Sequence, residues 1–243
     1  RHTTGINNIA LGAGALQDNT TGSTNIAIGS QSLQNNTVGG SLTAIGNSTL
    51  LKNTSGIENA AVGFAALREN TTGSRNVALG VGALGSNTTG GDNLAFGRSA
   101  LTSNTTGFEN SGFGTDALSS NSTGRRNLAF GHRALASNTI GSNNTAIGYT
   151  ALLDNLSGDD NIALGFNSMV SNFTGLRNIG IGFNGLRSNR SGGNNIAIGS
   201  AAIYNPVTAD TLTGSNNIAI GNSAADNIRA AAAGNVAIGN QVD

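Results

Sequence analysis

A seventeen-residue repeat runs through this chain of 243 residues and constrains its fold more than any other feature. The pentapeptide NIALG ends at Gly12 and recurs as NIAIG ending at Gly29, and the same glycine then returns at every seventeenth position as far as Gly199. Two further copies end at Gly221 and Gly239, after the longer steps of twenty-two and eighteen positions. A sequence that repeats in this way predicts a stack of similar units rather than one globular core.

The fourteen copies predict one domain over residues 1–243. Its regular rungs span residues 6–199, and its irregular rungs, which contain an insertion, span residues 200–243. The insertion adds five residues around positions 204–212. Insertions in solenoids form loops on one face, often the binding face, and a packing or end-capping role is the alternative.

Each copy alternates apolar and small residues with the period of a β-strand. Ile9 and Leu11 are therefore predicted to form the core face of the strand, with Ala10 on the opposite face. The Ala-Leu pair that follows is predicted as a second, shorter strand, and the NTTG segment as a tight turn. One such unit cannot bury its own apolar face, whereas stacked units can. The sequence predicts an all-β fold, a parallel β-solenoid of about fourteen 17-residue rungs.

The composition agrees with stacked small residues and excludes several classes of protein. Gly and Asn contribute 37 and 36 residues, and neither Trp nor Cys occurs, so there is too little bulk for an ordinary globular core of this length and disulfides are excluded. The 12 basic and 12 acidic residues cancel, which leaves no excess charge to attract nucleic acid. The longest apolar run is far too short to span a membrane, so we expect no membrane insertion by this chain.

An asparagine lies seven residues after the repeat glycine in eleven consecutive copies. Identical amides one rung apart can hydrogen-bond along the stack as a ladder and satisfy polar groups that burial would leave unpaired. The simpler alternative is that Asn is a favourable turn residue, but a solvent-facing turn would admit Asp, Gly or Ser in some copies. The Asn-Xaa-Ser/Thr triplets here match glycosylation acceptors formally, and we interpret them as turn chemistry. The predicted ladder consists of Asn19, Asn36, Asn53, Asn70, Asn87, Asn104, Asn121, Asn138, Asn155, Asn172 and Asn189.

A column of alanine and glycine lies two residues before the repeat glycine in all fourteen copies. Restriction to small residues indicates that another backbone packs closely on this face, and the simplest partner is another copy of the chain around a rotational axis. We therefore predict that this column packs at a trimer axis. Its members are Ala10, Ala27, Ala44, Ala61, Ala78, Ala95, Gly112, Ala129, Ala146, Ala163, Gly180, Ala197, Ala219 and Ala237.

The NIAIG segment, the Leu that follows it and the NTTG turn resemble the head repeats of trimeric autotransporter adhesins, the YadA-like left-handed parallel β-roll. The same repeat occurs in trimeric bacteriophage tail fibres and in related mosaic adhesive fibres of bacteria. This resemblance covers all fourteen copies and implies a parallel homotrimer with the small-residue strand facing the three-fold axis. It also implies an extracellular location, on a bacterial cell surface or in a phage virion fibre. Many heads of that family have shorter repeats, so the 17-residue rung implies a longer turn.

No residue pattern predicts an enzyme. Residues 80–85 spell GxGxxG, but they belong to the repeat and no helix pattern follows them. His2 and His132 are the two histidines of the chain, and no nucleophile has a base at a recognisable spacing. We therefore expect no catalytic site, no metal site and no cofactor.

Charged residues alternate in sign along a column five positions before the repeat glycine, except that Asp92 is followed by Glu109. Exposed ion pairs contribute only about 0 to 1 kcal/mol each, so their predicted role is to fix the stacking register. A merely solvated edge is the alternative. The predicted pairs are Glu58 with Arg75, Arg75 with Asp92, Glu109 with Arg126, and Asp160 with Arg177.

The position directly after the repeat glycine varies between copies, which makes it a candidate binding surface. If these side chains face solvent, they form a stripe of aromatic and basic groups suited to contact with a glycan or a protein. The alternative is that they pack over the turns. The candidates for ligand contact are Phe64, Arg98, His132, Tyr149, Phe166 and Phe183, together with Tyr204 at the insertion.

Three functions are compatible with these features. The first is a structural and adhesive head or shaft of a trimeric surface fibre, which attaches to a host cell, a matrix or a glycan receptor. The second is a tail-fibre spacer without a ligand of its own. The third is ice binding through stacked threonines, a column that begins at Thr20 and holds Thr as far as Thr105. That column later contains Leu156, Phe173 and Arg190, which interrupt the flat row of threonines that ice binding needs.

Overall fold

The computed structural model of the chain describes residues 4–204, 213–225, 231 and 233–241. The described residues form fourteen strands of three residues each and contain no helix. Each repeat contributes one strand, and within each of two compact units the strands of successive repeats pair in parallel. The predicted all-β fold, a parallel β-solenoid with one rung for each repeat, is confirmed.

The first compact unit, residues 1–123, contains seven strands. Within this unit, neighbouring strands pair at the spacing of the repeat, so Ala10 lies opposite Ala27 and Ile45 opposite Val62. The strands are β1 Ile9–Leu11, β2 Ile26–Ile28, β3 Thr43–Ile45, β4 Ala60–Val62, β5 Val77–Leu79, β6 Leu94–Phe96 and β7 Ser111–Phe113.

The second compact unit, residues 124–243, repeats this arrangement with seven more strands. Its last pairings, Ile196 with Ile218 and Ile218 with Val236, keep the register although the connections are longer than in the other rungs. The strands are β8 Leu128–Phe130, β9 Thr145–Ile147, β10 Ile162–Leu164, β11 Ile179–Ile181, β12 Ile196–Ile198, β13 Ile218–Ile220 and β14 Val236–Ile238.

The predicted insertion falls mostly on residues 205–212, which lie outside the described residues. Register is nevertheless retained on both of its sides, since Ala197 of β12 pairs with Ala219 of β13. The extra residues therefore do not change which side chains share a column. The expectation of a single domain over 1–243 stays a prediction, and both units consist of the same rung.

The small-residue column lies inside the solenoid, and the prediction that it packs at a trimer axis was wrong. A side chain enclosed by its own chain cannot contact another copy. Ala10 and Ala237, in the first and last strands, are more exposed because a neighbouring strand covers them on one side only. The buried members are Ala27, Ala44, Ala61, Ala78, Ala95, Gly112, Ala129, Ala146, Ala163, Gly180, Ala197 and Ala219.

The physical reason for the small residues is the leucine column four residues after the repeat glycine, which fills the same interior. An ideal Cβ placed on Gly112 would lie 3.6 Å from Cγ and Cδ1 of Leu101 in the preceding rung. Leu67, Leu84 and Leu101 are fully buried, like the other described members of their column from Leu33 to Leu186. The space left opposite these side chains holds a methyl group and little more.

The large apolar residues of each strand point outwards, which is also the reverse of the prediction. The exposed fractions of the outward side chains reach 53% for Phe96, 56% for Phe130 and 39% for Ile147. We call the outward side chains of β1–β7 and of β8–β14 the outer face of the respective unit. In a single copy of the chain, these apolar side chains are therefore partly exposed to solvent.

The Ala-Leu segment is a turn and not the second strand that we predicted. Leu67 has φ 50°, and Ala65, directly before the Ala-Leu pair of that rung, has φ 56°, so both adopt the left-handed conformation instead of the extended one. Such residues cost about 1–2 kcal/mol each, and here they are held by hydrogen bonds between rungs. The amide of Leu67, for example, donates to the carbonyl of Ala83 at 3.0 Å.

Replacement of Gly180 by Ala tests the small interior. An ideal Cβ at this position would lie 2.6 Å from Cγ of Met169 and 2.9 Å from the carbonyl oxygen of Gly185. Overpacking of this kind costs about 1–3 kcal/mol, so we expect the Gly180→Ala variant to unfold at a lower urea concentration than the parent protein.

The matched control is Gly112→Ala, in the same column but facing a leucine. Its Cβ would lie 3.6 Å from Leu101 and 3.3 Å from the carbonyl oxygen of Ala117, so its urea midpoint should change much less. Equal destabilisation of the two variants would contradict the assignment of Met169 as the residue that requires a glycine.

Candidate functional site

The predicted asparagine ladder is present in both units. In the first unit, the Nδ2 of each asparagine from Asn36 to Asn121 donates to the Oδ1 of the preceding one over 2.8–3.0 Å. In the second unit, Asn155, Asn172 and Asn189 do the same over 2.6–2.8 Å. All ladder residues are buried, and those between two hydrogen-bonded neighbours within a unit, such as Asn70 and Asn172, both donate and accept. The ladder satisfies polar groups inside the stack that water cannot reach.

A second column of buried asparagines, four residues before the repeat glycine, has a structural role that the sequence analysis missed. Oδ1 of Asn59 accepts hydrogen bonds from the backbone amide and the side chain of Asn76, at 2.9 and 3.2 Å. Nδ2 of Asn76 donates in turn to the carbonyl of Gly90 at 2.9 Å. The sequence does contain a signal for this role, because thirteen of the fourteen copies carry Asn at this position and only one, with Leu42, differs.

In rungs where both columns carry asparagine, the two side chains converge on one glycine carbonyl. The oxygen of Gly73 accepts from Asn70 at 2.9 Å and from Asn59 at 2.8 Å. A Cβ on Gly73 would clash with Oδ1 of Asn70 and with the carbonyl oxygen of Gly90 in the next rung. The glycine therefore permits the close approach that both hydrogen bonds need.

The formal glycosylation triplets of the ladder are not accessible. Asn70, Asn87 and Asn104 are fully buried, and their amide groups are used within the ladder. This agrees with the interpretation of the triplets as turn chemistry.

Three aromatic rings and a histidine form a stacked row in the second unit, and we call it the aromatic ladder: His132, Tyr149, Phe166 and Phe183. Their ring centroids are separated by 5.2, 5.1 and 5.6 Å, with interplanar angles of 10°, 10° and 16°. Tyr149, Phe166 and Phe183 are 48%, 47% and 54% exposed. The predicted stripe thus faces solvent here, and its rings pack on one another rather than over the turns.

The other candidates for ligand contact do not belong to the aromatic ladder. Phe64 and Arg98 lie in the same column of the first unit and are exposed, and the guanidinium of Arg98 is 3.6 Å from the carboxylate of Asp116. Tyr204 is half-buried beneath the guanidinium of Arg187, which lies 5.8 Å from its ring centroid. A ligand role for these residues stays a prediction.

In the column of alternating charge, Arg75 and Asp92 form a two-pronged ion pair. Nε and Nη2 of Arg75 donate to the two carboxylate oxygens of Asp92 at 2.6 and 2.8 Å, as predicted. This hydrogen bonding lowers the pKa of Asp92. Asp160 instead accepts a hydrogen bond of 3.1 Å from the side chain of Asn143. Both residues of the Arg75 pair are exposed, so the pair contributes more to register than to stability.

Among the described residues, one carboxyl group has its pKa raised by burial. Asp154 is partly removed from water, which raises its pKa, while the nearby charge of Arg133 acts in the opposite direction. In the described ranges, no three His, Asp or Glu side chains lie close enough together to hold a metal ion. None of the described residues forms a helix long and apolar enough to cross a bilayer. The expected absence of catalysis, metal and cofactor stays a prediction.

Comparison with known proteins adds no assignment. No family model matches the chain, and no curated protein and no solved structure is significantly similar to it. The resemblance to YadA-like head repeats therefore stays a prediction that rests on the repeated residues themselves.

Replacement of Asn87 by Asp tests the ladder with almost no change in shape. The carboxylate cannot donate to Oδ1 of Asn70 or to the carbonyl of Gly90, which are 2.8 and 2.9 Å from the present amide nitrogen. An unsatisfied buried group costs about 1–3 kcal/mol, and more when charged, so we expect a clear loss of stability at neutral pH.

The loss should depend on pH with a definite sign. Burial raises the pKa of the introduced carboxyl above its unfolded value of about 3.9, so the penalty is largest above the raised pKa and shrinks as the pH falls through it. Urea unfolding of Asn87→Asp across this range measures the effect. The exposed Asn35→Asp variant is the control, and the same pH dependence in both variants would refute a buried ladder at Asn87.

Proposed function

We propose that this chain is a structural and adhesive segment of a homotrimeric surface fibre. The observation that carries the proposal is the outer face, where every described strand presents apolar or small side chains to solvent. An extended apolar surface of this kind is typical of a protein interface rather than of a monomer. A second copy of the chain is the partner that fits best, because identical copies aligned in parallel bring like residues to the same height.

The number of copies and the location come from the resemblance to YadA-like heads and phage tail fibres. Three chains around a three-fold axis would turn their outer faces inwards, so that Ile, Val, Leu and Phe side chains pack where the sequence analysis expected alanine. The fibre would then be extracellular, on a bacterial cell or a phage virion. Its partners would be itself and a host-surface protein or glycan, and the left-handed coil of the roll belongs to the same proposal.

The adhesive part of the proposal is supported by the exposed aromatic ladder. The rung holds its own backbone together through buried asparagines, so outward positions are free to carry binding groups. A spacer without a ligand is the alternative, and binding assays decide between the two. Beads coated with the purified chain should attach to host cells or matrix, whereas beads that do not attach would favour the spacer.

Replacement of Val62 by Asp tests self-association through the outer face. Val62 is 38% exposed on β4, so a carboxylate is tolerated in the single chain but would be buried between copies. Light scattering should give about three times the chain mass of 24.1 kDa for the parent protein and a lower mass for Val62→Asp.

The control variant is Ser55→Asp, which adds the same charge at an exposed turn. It should retain the parent mass, and the circular dichroism of both variants should match that of the parent. A parent protein of 24.1 kDa in solution would refute the trimer, whatever the variants do.

Ice binding is disfavoured by the hydrogen bonding of the threonine column. The hydroxyl of Thr71 donates to the backbone carbonyl of Thr88 at 3.0 Å, and Thr88 donates likewise to Thr105. These hydroxyls are bound within the stack and do not form a free array for ordered water. We therefore expect no thermal hysteresis from the purified chain. A measurable difference between the melting and freezing temperatures of ice would instead support ice binding.

A further inference from the structure

The fold of the rung does not require aromatic residues at the positions of the aromatic ladder in the second unit. The same position carries Ala13, Ser30 and Asn47 in rungs of the first unit that have the same fold. Three aromatic rings and an imidazole on consecutive rungs therefore serve something other than the fold. They also keep apolar area in contact with water, which is unfavourable unless a ligand covers it.

The rings of the aromatic ladder overlap only partly. Carbon atoms in contact are about 3.5–4.0 Å apart, so centroids separated by 5.1–5.6 Å at small interplanar angles mean that each ring is displaced sideways from the next. Part of each face stays uncovered, in agreement with the exposed fractions of about half for the residues Tyr149, Phe166 and Phe183. The result is a ridged apolar strip with one step for each rung.

Building on the proposed adhesive function, we infer that the aromatic ladder binds an extended chain of β-linked pyranose sugars. The polysaccharide lies along the direction in which the rungs of this unit stack. Each sugar places its apolar C–H face against the uncovered part of one ring. Its hydroxyl groups point to the polar side chains beside the ladder and to water.

The step of the aromatic ladder selects this class of ligand. Successive sugars in an extended β-linked chain advance by nearly the same distance as the rings, so four consecutive sugars stay in phase with four rings. An extended peptide does not, because its side chains on one face recur about every 6.6 Å, twice the rise of 3.3 Å per residue. An α-linked glucan coils away from a straight row of rings.

Polar groups flank the aromatic ladder in the column one residue further on. Arg133, next to His132, is exposed and supplies guanidinium donors. Asn184, next to Phe183, has a buried Oδ1 without a hydrogen-bond partner, an unusual condition for a native side chain. A rotation about the Asn184 Cα–Cβ bond would turn this acceptor towards a sugar hydroxyl. Ligand sites commonly combine aromatic side chains with a few placed polar groups, and the aromatic ladder with its flanking residues has this composition.

The test measures binding of the full chain to cello- and chito-oligosaccharides of two to six sugars by calorimetry. Affinity should rise with length up to about four sugars and then level off. Malto-oligosaccharides of the same lengths, which are α-linked, should not bind. The Phe166→Ala variant, which removes a central ring, should lose about tenfold in affinity for the four-sugar ligand.

Two further variants separate ring stacking from other causes. Phe166→Leu keeps apolar bulk without a ring and should lose nearly as much affinity as Phe166→Ala. Phe64→Ala removes an exposed ring of the same column in the first unit and should bind as the parent does. Equal loss in Phe64→Ala and Phe166→Ala, or no loss in either, would overturn the assignment of the site.

The outcomes also separate this inference from the proposed function. Absence of binding to both β-linked series, equal binding of the α-linked series, or binding of an extended apolar peptide instead would overturn the inference alone. The proposed fibre is judged by the molecular mass and by attachment to cells. A monomeric chain that still bound the β-linked sugars would retain the site and refute the trimer.

Discussion

Hydrogen bonds of buried asparagine side chains, made to one another and to glycine carbonyls, join successive rungs, and the rest of the structure depends on them. A stack of short strands leaves many backbone and side-chain polar groups away from water, and each needs a partner. The amides of Asn70 and Asn59 supply two donors to Gly73, while their own oxygens accept from the following rung. Asparagine offers donor and acceptor in one rigid group, so a column of identical residues satisfies itself.

This polar interior leaves little room for apolar packing. Leucine enters from the turn segment, alanine or glycine faces it from the strand, and the enclosed space is then full. The larger residues of the strand can only point outwards, which gives the single chain an apolar outer face. The proposal of a trimer follows from this arrangement of small side chains inside and large apolar side chains outside. An interface between copies would bury the large side chains, for which the narrow interior has no room.

Outward positions carry no such constraint and vary from rung to rung. The position after the repeat glycine accepts alanine, serine, asparagine, valine, arginine and aromatic residues on the same backbone. Binding groups can therefore be added without loss of the fold, provided that they match the step between rungs. The aromatic ladder follows this rule. The distance between rungs of the solenoid sets the distance between its rings, and therefore the spacing of the proposed ligand site.

The sequence by itself determined the rung length, the strand in each copy and the Asn19–Asn189 ladder, because residues one repeat apart must meet when copies stack. It did not determine which face of the strand points inwards. Alternation with a period of two separates Ala78 from Val77 and Leu79, but either set is compatible with a core. The tertiary structure decided this, because the leucine column enters the interior from the turn and leaves space for a methyl group only. It also decided that the turn segment, with residues such as Leu67 at positive φ, is not a second strand.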